Sequence, residues 1–244
     1  MAEMGAGGGR GAGGGQGAGG GWKLAAVAGL VGISIGAGAM LVANGYFVRS
    51  YLLENPEIIP EAMERLQEKQ MASALGPQRA ALERPFHGAW AGAQEGDVVL
   101  VEFFDYACGY CRASNPDVER LLSEDPRLKV VWRELPVLGP SSESASAVSM
   151  AAARQGRFRQ FHDRLFALGR PTDASIAEAT RSVGIQSGGT LTAEDRAEIG
   201  RNLELARAIG ASGTPTFVVG DRVMQGAVGY QTLKDAIADA RAGS

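Results

Sequence analysis

Cysteine and histidine are scarce in this chain of 244 residues, which holds two of each. A closed zinc site needs about four Cys or His ligands. His87 and His162 lie far apart and lack ligand spacing, so no metal site and no cofactor is expected. Basic excess is missing as well. The net charge of −3 excludes nucleic acid as the main partner, because phosphate binding needs a basic surface. Only one long apolar run occurs, so a polytopic membrane protein is excluded. A hydrophobic content of 45% excludes a wholly disordered chain.

Glycine is abundant, and about a dozen of the 35 glycines fall within residues 1–21. That Gly/Ala tract cannot pack a core and reads as a disordered tail. Residues 22–48 follow as a candidate transmembrane anchor. Leu24 to Val48 carry no charge and as a helix would span about 37 Å, enough to cross a bilayer with some tilt. Two rivals stand beside the anchor. One is a cleaved signal segment with Ala37-Gly38-Ala39 as its small-residue site; the other is a buried soluble helix. The anchor is preferred because the uncharged run exceeds a usual signal core.

Residues 49–76 read as a helical stalk. Asn55-Pro56 suits an N-cap followed by a first-turn proline, and Ile59, Met63 and Leu66 form an apolar stripe at helical spacing. That stripe packs either on its own domain or on a second copy, which makes a homo-oligomer an expectation to test. Gly76-Pro77 breaks the pattern, and residues 77–96 read as a linker.

Residues 97–244 form the main domain. Val98 to Phe104 is an apolar run typical of a strand buried on both faces, and Leu128 to Glu134 is a second strand. Between them lies a helix through Asp117 to Leu122. Residues 142–209 are helical by pattern, with breaks near Gly156, Gly169–Pro171 and Gly184–Thr190. Strands from Thr216 to Val219 and from Arg222 to Ala227, then a helix from about Gln231 to Ala240, close the chain. The expected class is α/β with a helical insertion.

The two cysteines form Cys108-Gly109-Tyr110-Cys111 just after the first strand. A structural disulfide across so small a loop gains little. Redox exchange fits the context better. Cys108 stands where a helix begins, and the unpaired N–H groups and dipole there favour a thiolate; Cys111 lies one turn inside and is better shielded. An exposed attacking sulfur with a sheltered resolving sulfur is what disulfide exchange requires. The absence of further thiols agrees, since a spare one invites wrong disulfides. Glu102 stands in an otherwise apolar strand, where burial would raise its pKa and let it move the proton of Cys111; the rival reading is a strand-edge charge facing solvent. Gly213-Thr214-Pro215-Thr216-Phe217 places a proline at a strand entrance. A cis Thr214–Pro215 bond there would present backbone groups to an extended substrate.

Phe103-Phe104-Asp105-Tyr106-Ala107-Cys108-Gly109-Tyr110-Cys111, together with Gly213-Thr214-Pro215-Thr216-Phe217, resembles the active-site motif and cis-proline loop of the DsbA superfamily, which has the thioredoxin fold. Glu54 to Met63 resembles the N-terminal helix of its ScsC-type and Com1-like members, some of which oligomerise through it. The resemblance implies a protein thiol-disulfide oxidoreductase or isomerase in which Cys108 attacks, Cys111 resolves, Glu102 is the buried acid, and Gly109, Tyr110, Thr214 and Pro215 meet substrate. Gly109-Tyr110 and Thr214 differ from the strongly oxidising DsbA type and resemble the DsbC-type isomerases. The implied partners are unfolded or misoxidised extracytoplasmic proteins and a membrane redox partner of the DsbD or DsbB kind. With the anchor, the expected location is the bacterial inner membrane with the catalytic domain in the periplasm. The alternative from another class is a copper-handling module that uses the same two thiols.

Overall fold

A computed structural model describes residues 47–186 and 189–243, which fall into two compact units, up to residue 63 and from 64 onward. The tail 1–21 and nearly all of the candidate span 22–48 lie outside the described residues. Among the described residues, no helix is long and apolar enough to cross a membrane.

The first unit is helical over 47–54 (α1), and α2 (Ile58–Leu75) begins after a short turn. Asn55 does not cap α2 with its side chain. Its amide donates to the Tyr51 carbonyl at 2.8 Å, closing α1. The expected N-cap is therefore a C-terminal stop, because the preceding residues are already helical and offer orphan carbonyls.

In the second unit a five-stranded sheet has the order β1-β3-β2-β4-β5. Its strands are β1 (Trp90–Gly92), β2 (Val98–Phe104), β3 (Leu128–Glu134), β4 (Thr216–Val219) and β5 (Arg222–Gln225). The central pair β2–β3 is parallel and joined through α4 (Gly109–Glu124); the other pairings are antiparallel. Side chains alternate across a strand. Leu100, Phe104, Val130 and Trp132 therefore face one core with Val118 and Leu121 of α4. Val101, Phe103 and Val131 face another core with Leu75, Leu82 and Ile209. Two covered faces explain why β2 and β3 read as nearly unbroken apolar runs.

The insertion consists of α5 (Pro140–Arg154), α6 (Phe158–Ala167), α7 (Asp173–Val183) and α8 (Ala193–Ala208), and α9 (Tyr230–Ala242) ends the fold. Thr172 and Thr192 open α7 and α8 with reciprocal capping boxes, and Gly184 ends α7 in the left-handed region at φ 72°. This is the mixed α/β thioredoxin-like fold with a helical insertion.

Residues 77–96, read as a linker, are folded in part. A 3₁₀ turn (Gly76–Gln78) leads into α3 (Arg79–Glu83), then β1 pairs along β3, and Leu82, Phe86, Ala89 and Ala91 are buried. A three-residue edge strand is too short to display a period, so the sequence pattern passes over it. The last strand also stops earlier than Ala227. Gly226 turns away at φ 83° and donates its N–H to the Pro215 carbonyl.

Candidate active site

Two chain segments meet at Cys108. The residue is the N-cap of α4, with φ −79° and ψ 117°, and its Sγ accepts the Cys111 N–H at 3.4 Å. The same sulfur, as a thiol, donates to the Thr214 carbonyl at 3.2 Å, across 106 positions of chain. The Thr214–Pro215 peptide bond is cis. Both cysteines are free thiols. Cys108 is 6% exposed and Cys111 0%, so Cys108 is less open than its helix-end position suggested. The Thr214 carbonyl approaches from the cis-proline loop, which the local sequence cannot reveal. Tyr110, at 69% exposure, is the outward part of the motif, and Gly109 beside it is exposed too.

Glu102 lies on β2 beneath this loop, in register with Trp132 of β3 and Phe217 of β4. At 1% exposure it does not face solvent. Burial raises its carboxyl from 4.5 to about 8, against the opposing pull of the Trp132 indole, whose Nε1–H donates to Oε2 at 3.0 Å. The Cys111 thiol is pushed up strongly, first by burial and then by the negative charge of Glu102. Near neutral pH the site thus retains protons that exposed groups of the same type would hold less firmly or release.

Asp105 ties the motif to its surroundings. Its backbone carbonyl accepts the Cys108 N–H, and its Oδ1 accepts the Ala107 N–H at 2.8 Å. Its Oδ2 accepts the N–H groups of Val137 and Leu138 at 2.9 and 3.0 Å. The motif and the loop after β3 are therefore held by one buried carboxylate. An aspartate two residues before a turn N–H is a readable Asx signal, but its bonds to residues 137 and 138 are not readable from sequence.

Tyr106 is likewise a positioned residue. Its hydroxyl sits 2.8 Å from Ser149 Oγ and 3.4 Å from His162 Nδ1, while His162 Nε2 meets Asn115 Oδ1 at 3.1 Å. Burial pushes His162 down to about 3, so it is a neutral ring fixed among Phe104, Trp132, Phe158 and Phe166. Both of its nitrogens are occupied. Among the described residues, no group of three or more His, Cys, Asp or Glu side chains is arranged to hold a metal ion.

A thioredoxin-like sheet carrying a Cys-x-x-Cys at the start of a helix, faced by a cis-proline loop, defines a dithiol protein of the thiol-disulfide oxidoreductase kind. The chain belongs to the DSBA-like thioredoxin domain family, which it matches over residues 99–238. Residues 45–72 match the N-terminal domain of the copper resistance protein ScsC. Among solved structures, the catalytic domain of Proteus mirabilis ScsC is 32% identical, with a TM-score of 0.65, over 70% of this chain and 98% of that one. A thioredoxin-like oxidoreductase from Silicibacter pomeroyi is 36% identical, with a TM-score of 0.61, over 64% of this chain and 92% of that one. A Na(+)/H(+) antiporter, NhaA 1 of Salinispora arenicola, is 31% identical over 63% of this chain and 24% of its own length. The chain thus spans about a quarter of the curated relatives it matches.

Proposed function

We propose that this protein exchanges disulfides with extracytoplasmic proteins through Cys108 and Cys111. The observation that carries the reading is the position of Cys108 Sγ between the Cys111 N–H and the Thr214 carbonyl. As a thiolate, Cys108 would be held by the helix-start N–H and would attack a substrate sulfur. The substrate S–S bond breaks, a Cys108–substrate disulfide forms, and the released thiolate takes a proton. Glu102 holds its own proton near neutral pH, so it first releases that proton to water; Cys111 then passes its proton to the Glu102 carboxylate, directly or through water, and attacks Cys108 Sγ. The Cys108–Cys111 disulfide closes and substrate leaves reduced; the reverse sequence oxidises substrate. A base is needed because burial and Glu102 both hold the Cys111 proton firmly. The exposed side chain of Tyr110, with Gly109, Thr214 and Pro215, would receive an extended substrate segment by strand addition.

Isomerisation is the direction that Gly109-Tyr110 and Thr214 favour, and a stalk that joins several copies would serve it. The catalytic domain is assigned to the periplasm, anchored by residues 22–48 and recharged by a membrane partner of the DsbD or DsbB kind. Insulin reduction and the refolding of scrambled ribonuclease test the activity. Cys111→Ala should accumulate mixed disulfides with substrate, and Cys108→Ala should not. Equal trapping by both variants would refute the assignment of roles.

The ScsC likeness of residues 45–72 carries the word copper, which favours a second reading: the two thiols hold copper(I). The occupied nitrogens of His162 add no ligand to the thiol pair. Copper analysis of the reduced protein beside the insulin assay separates the two readings.

A further inference from the structure

The motif, the cis-proline loop that Cys108 meets and the loop after β3 that Asp105 ties to the motif are nearly without charge. From Leu135 to Ser142 and from Ile209 to Val219 there is no charged residue, and from Tyr106 to Pro116 there is one, Arg112. Arg112 is exposed in the first turn of α4; its backbone N–H donates to the Cys108 carbonyl at 3.2 Å, and its side chain makes no hydrogen bond or ion pair among the described residues. Farther along the same helix, Arg120 donates to Glu124. The Arg112 side chain folds back over the motif, with its Nη2 4.0 Å from the point where a Cβ on Gly109 would stand. An unpaired guanidinium thus lies within contact distance of the residue next to Cys108.

We propose that Arg112 is a specificity-determining residue that selects thiols and disulfides carrying a carboxylate close to the sulfur. This rests on the exchange chemistry assigned to Cys108. The guanidinium offers a fixed cation and a fork of N–H donors that suits a carboxylate. It acts on the encounter and on the mixed disulfide without entering the bond exchange. The Cys108 thiolate forms its new S–S bond while the substrate S–S bond breaks, and the leaving thiolate departs beside Arg112. At a separation of several ångströms in a water-like dielectric, one unit charge is worth roughly threefold in rate. An anionic and a cationic disulfide should therefore differ by roughly tenfold.

The test uses the full-length reduced protein and three small disulfides of similar size: dithiodipropionate, hydroxyethyl disulfide and cystamine. Their rates with Cys108 are measured at low and high salt for the wild type, Arg112→Gln and Arg112→Lys. The expected result is an anionic preference that shrinks with salt, collapses in Arg112→Gln and survives in Arg112→Lys, while the neutral disulfide reacts alike in all three proteins. Peptide disulfides flanked by Glu or by Lys locate the source. A preference repeated there assigns Arg112 to protein substrates, and one confined to the small series assigns it to a free carboxylate thiol. An unchanged anionic-to-cationic ratio in Arg112→Gln, or an equal fall for all three disulfides, overturns the proposal. Failure of the neutral disulfide in the wild type overturns the exchange chemistry itself, which is a different result.

Discussion

Replacing Glu102 by Gln keeps an oxygen for the Trp132 indole and removes the only proton that this position can release. The folded protein holds that proton up to about pH 8, and an unfolded chain releases it near 4.5. Between those values the folded state binds more protons, so its stability falls as pH rises through the window. Each pH unit removes up to about 1.4 kcal/mol, and the whole window removes about 5 kcal/mol. Glu134 on β3 is also buried and also raised to about 8, so it contributes a second loss of the same sign. Glu102→Gln should therefore match the wild type near pH 5, exceed it by several kcal/mol near pH 9, and keep the share of the slope that belongs to Glu134. Urea unfolding of the reduced protein at pH 5, 6.5, 8 and 9 measures this. Parallel curves for the two proteins would refute the buried, protonated state of Glu102. Kinetics supply the second arm: decay of the mixed disulfide should slow more than its formation, and equal slowing would leave Glu102 a purely structural residue.

The parts of this fold that the sequence makes legible are those whose signal is local. Val98 to Phe104 and Leu128 to Glu134 are strands covered on both faces, and their apolar runs say so without knowledge of neighbours. The breaks at Gly156, Gly169 and Gly184 are glycines with positive φ, a demand that the residue type itself announces. The cysteine pair and Thr214-Pro215 likewise stand out locally, although the 3.2 Å contact between them belongs to tertiary structure. Whatever depends on register or on a distant partner stays hidden. Trp132 meets Glu102 only because β2 and β3 pair in one particular alignment. Arg133 looks like an ordinary strand charge, yet it is 3% exposed and binds Glu198, Asn202 and the carbonyls of Leu82 and Arg84. β1 is short enough that only its pairing with β3 defines it.

Asp105→Ala should loosen the motif and the loop after β3 together, since it leaves the N–H groups of Ala107, Val137 and Leu138 without their acceptor. A loss of roughly 1–3 kcal/mol in chemical unfolding is expected, with faster amide exchange at all three positions; unchanged exchange at 137 and 138 would contradict the shared anchor. Arg133→Ala leaves Asn202 Oδ1 and the carbonyls of Leu82 and Arg84 without their donor, while Glu198 keeps Arg201, so thermal unfolding should report a loss of about 1–3 kcal/mol, and Arg133→Lys should recover only part of it. The last prediction concerns assembly. Ile59, Met63 and Leu66 recur at helical spacing along α2 and are 51%, 58% and 56% exposed, so a single chain leaves the stripe in water. A helix of 18 residues is marginal in isolation, and burial of its apolar stripe against other copies would stabilise it. Leu75 is buried in the catalytic core, so a fragment that removes the stripe must begin before it, near Ser73. In sedimentation at micromolar concentration, a soluble fragment from Arg49 should associate and one from Ser73 should be monomeric, with Met63→Glu returning the longer fragment to monomer. Monomers from both fragments would refute self-association through this stripe and would remove one support for the isomerase direction, because several Cys108 sites would no longer surround one substrate.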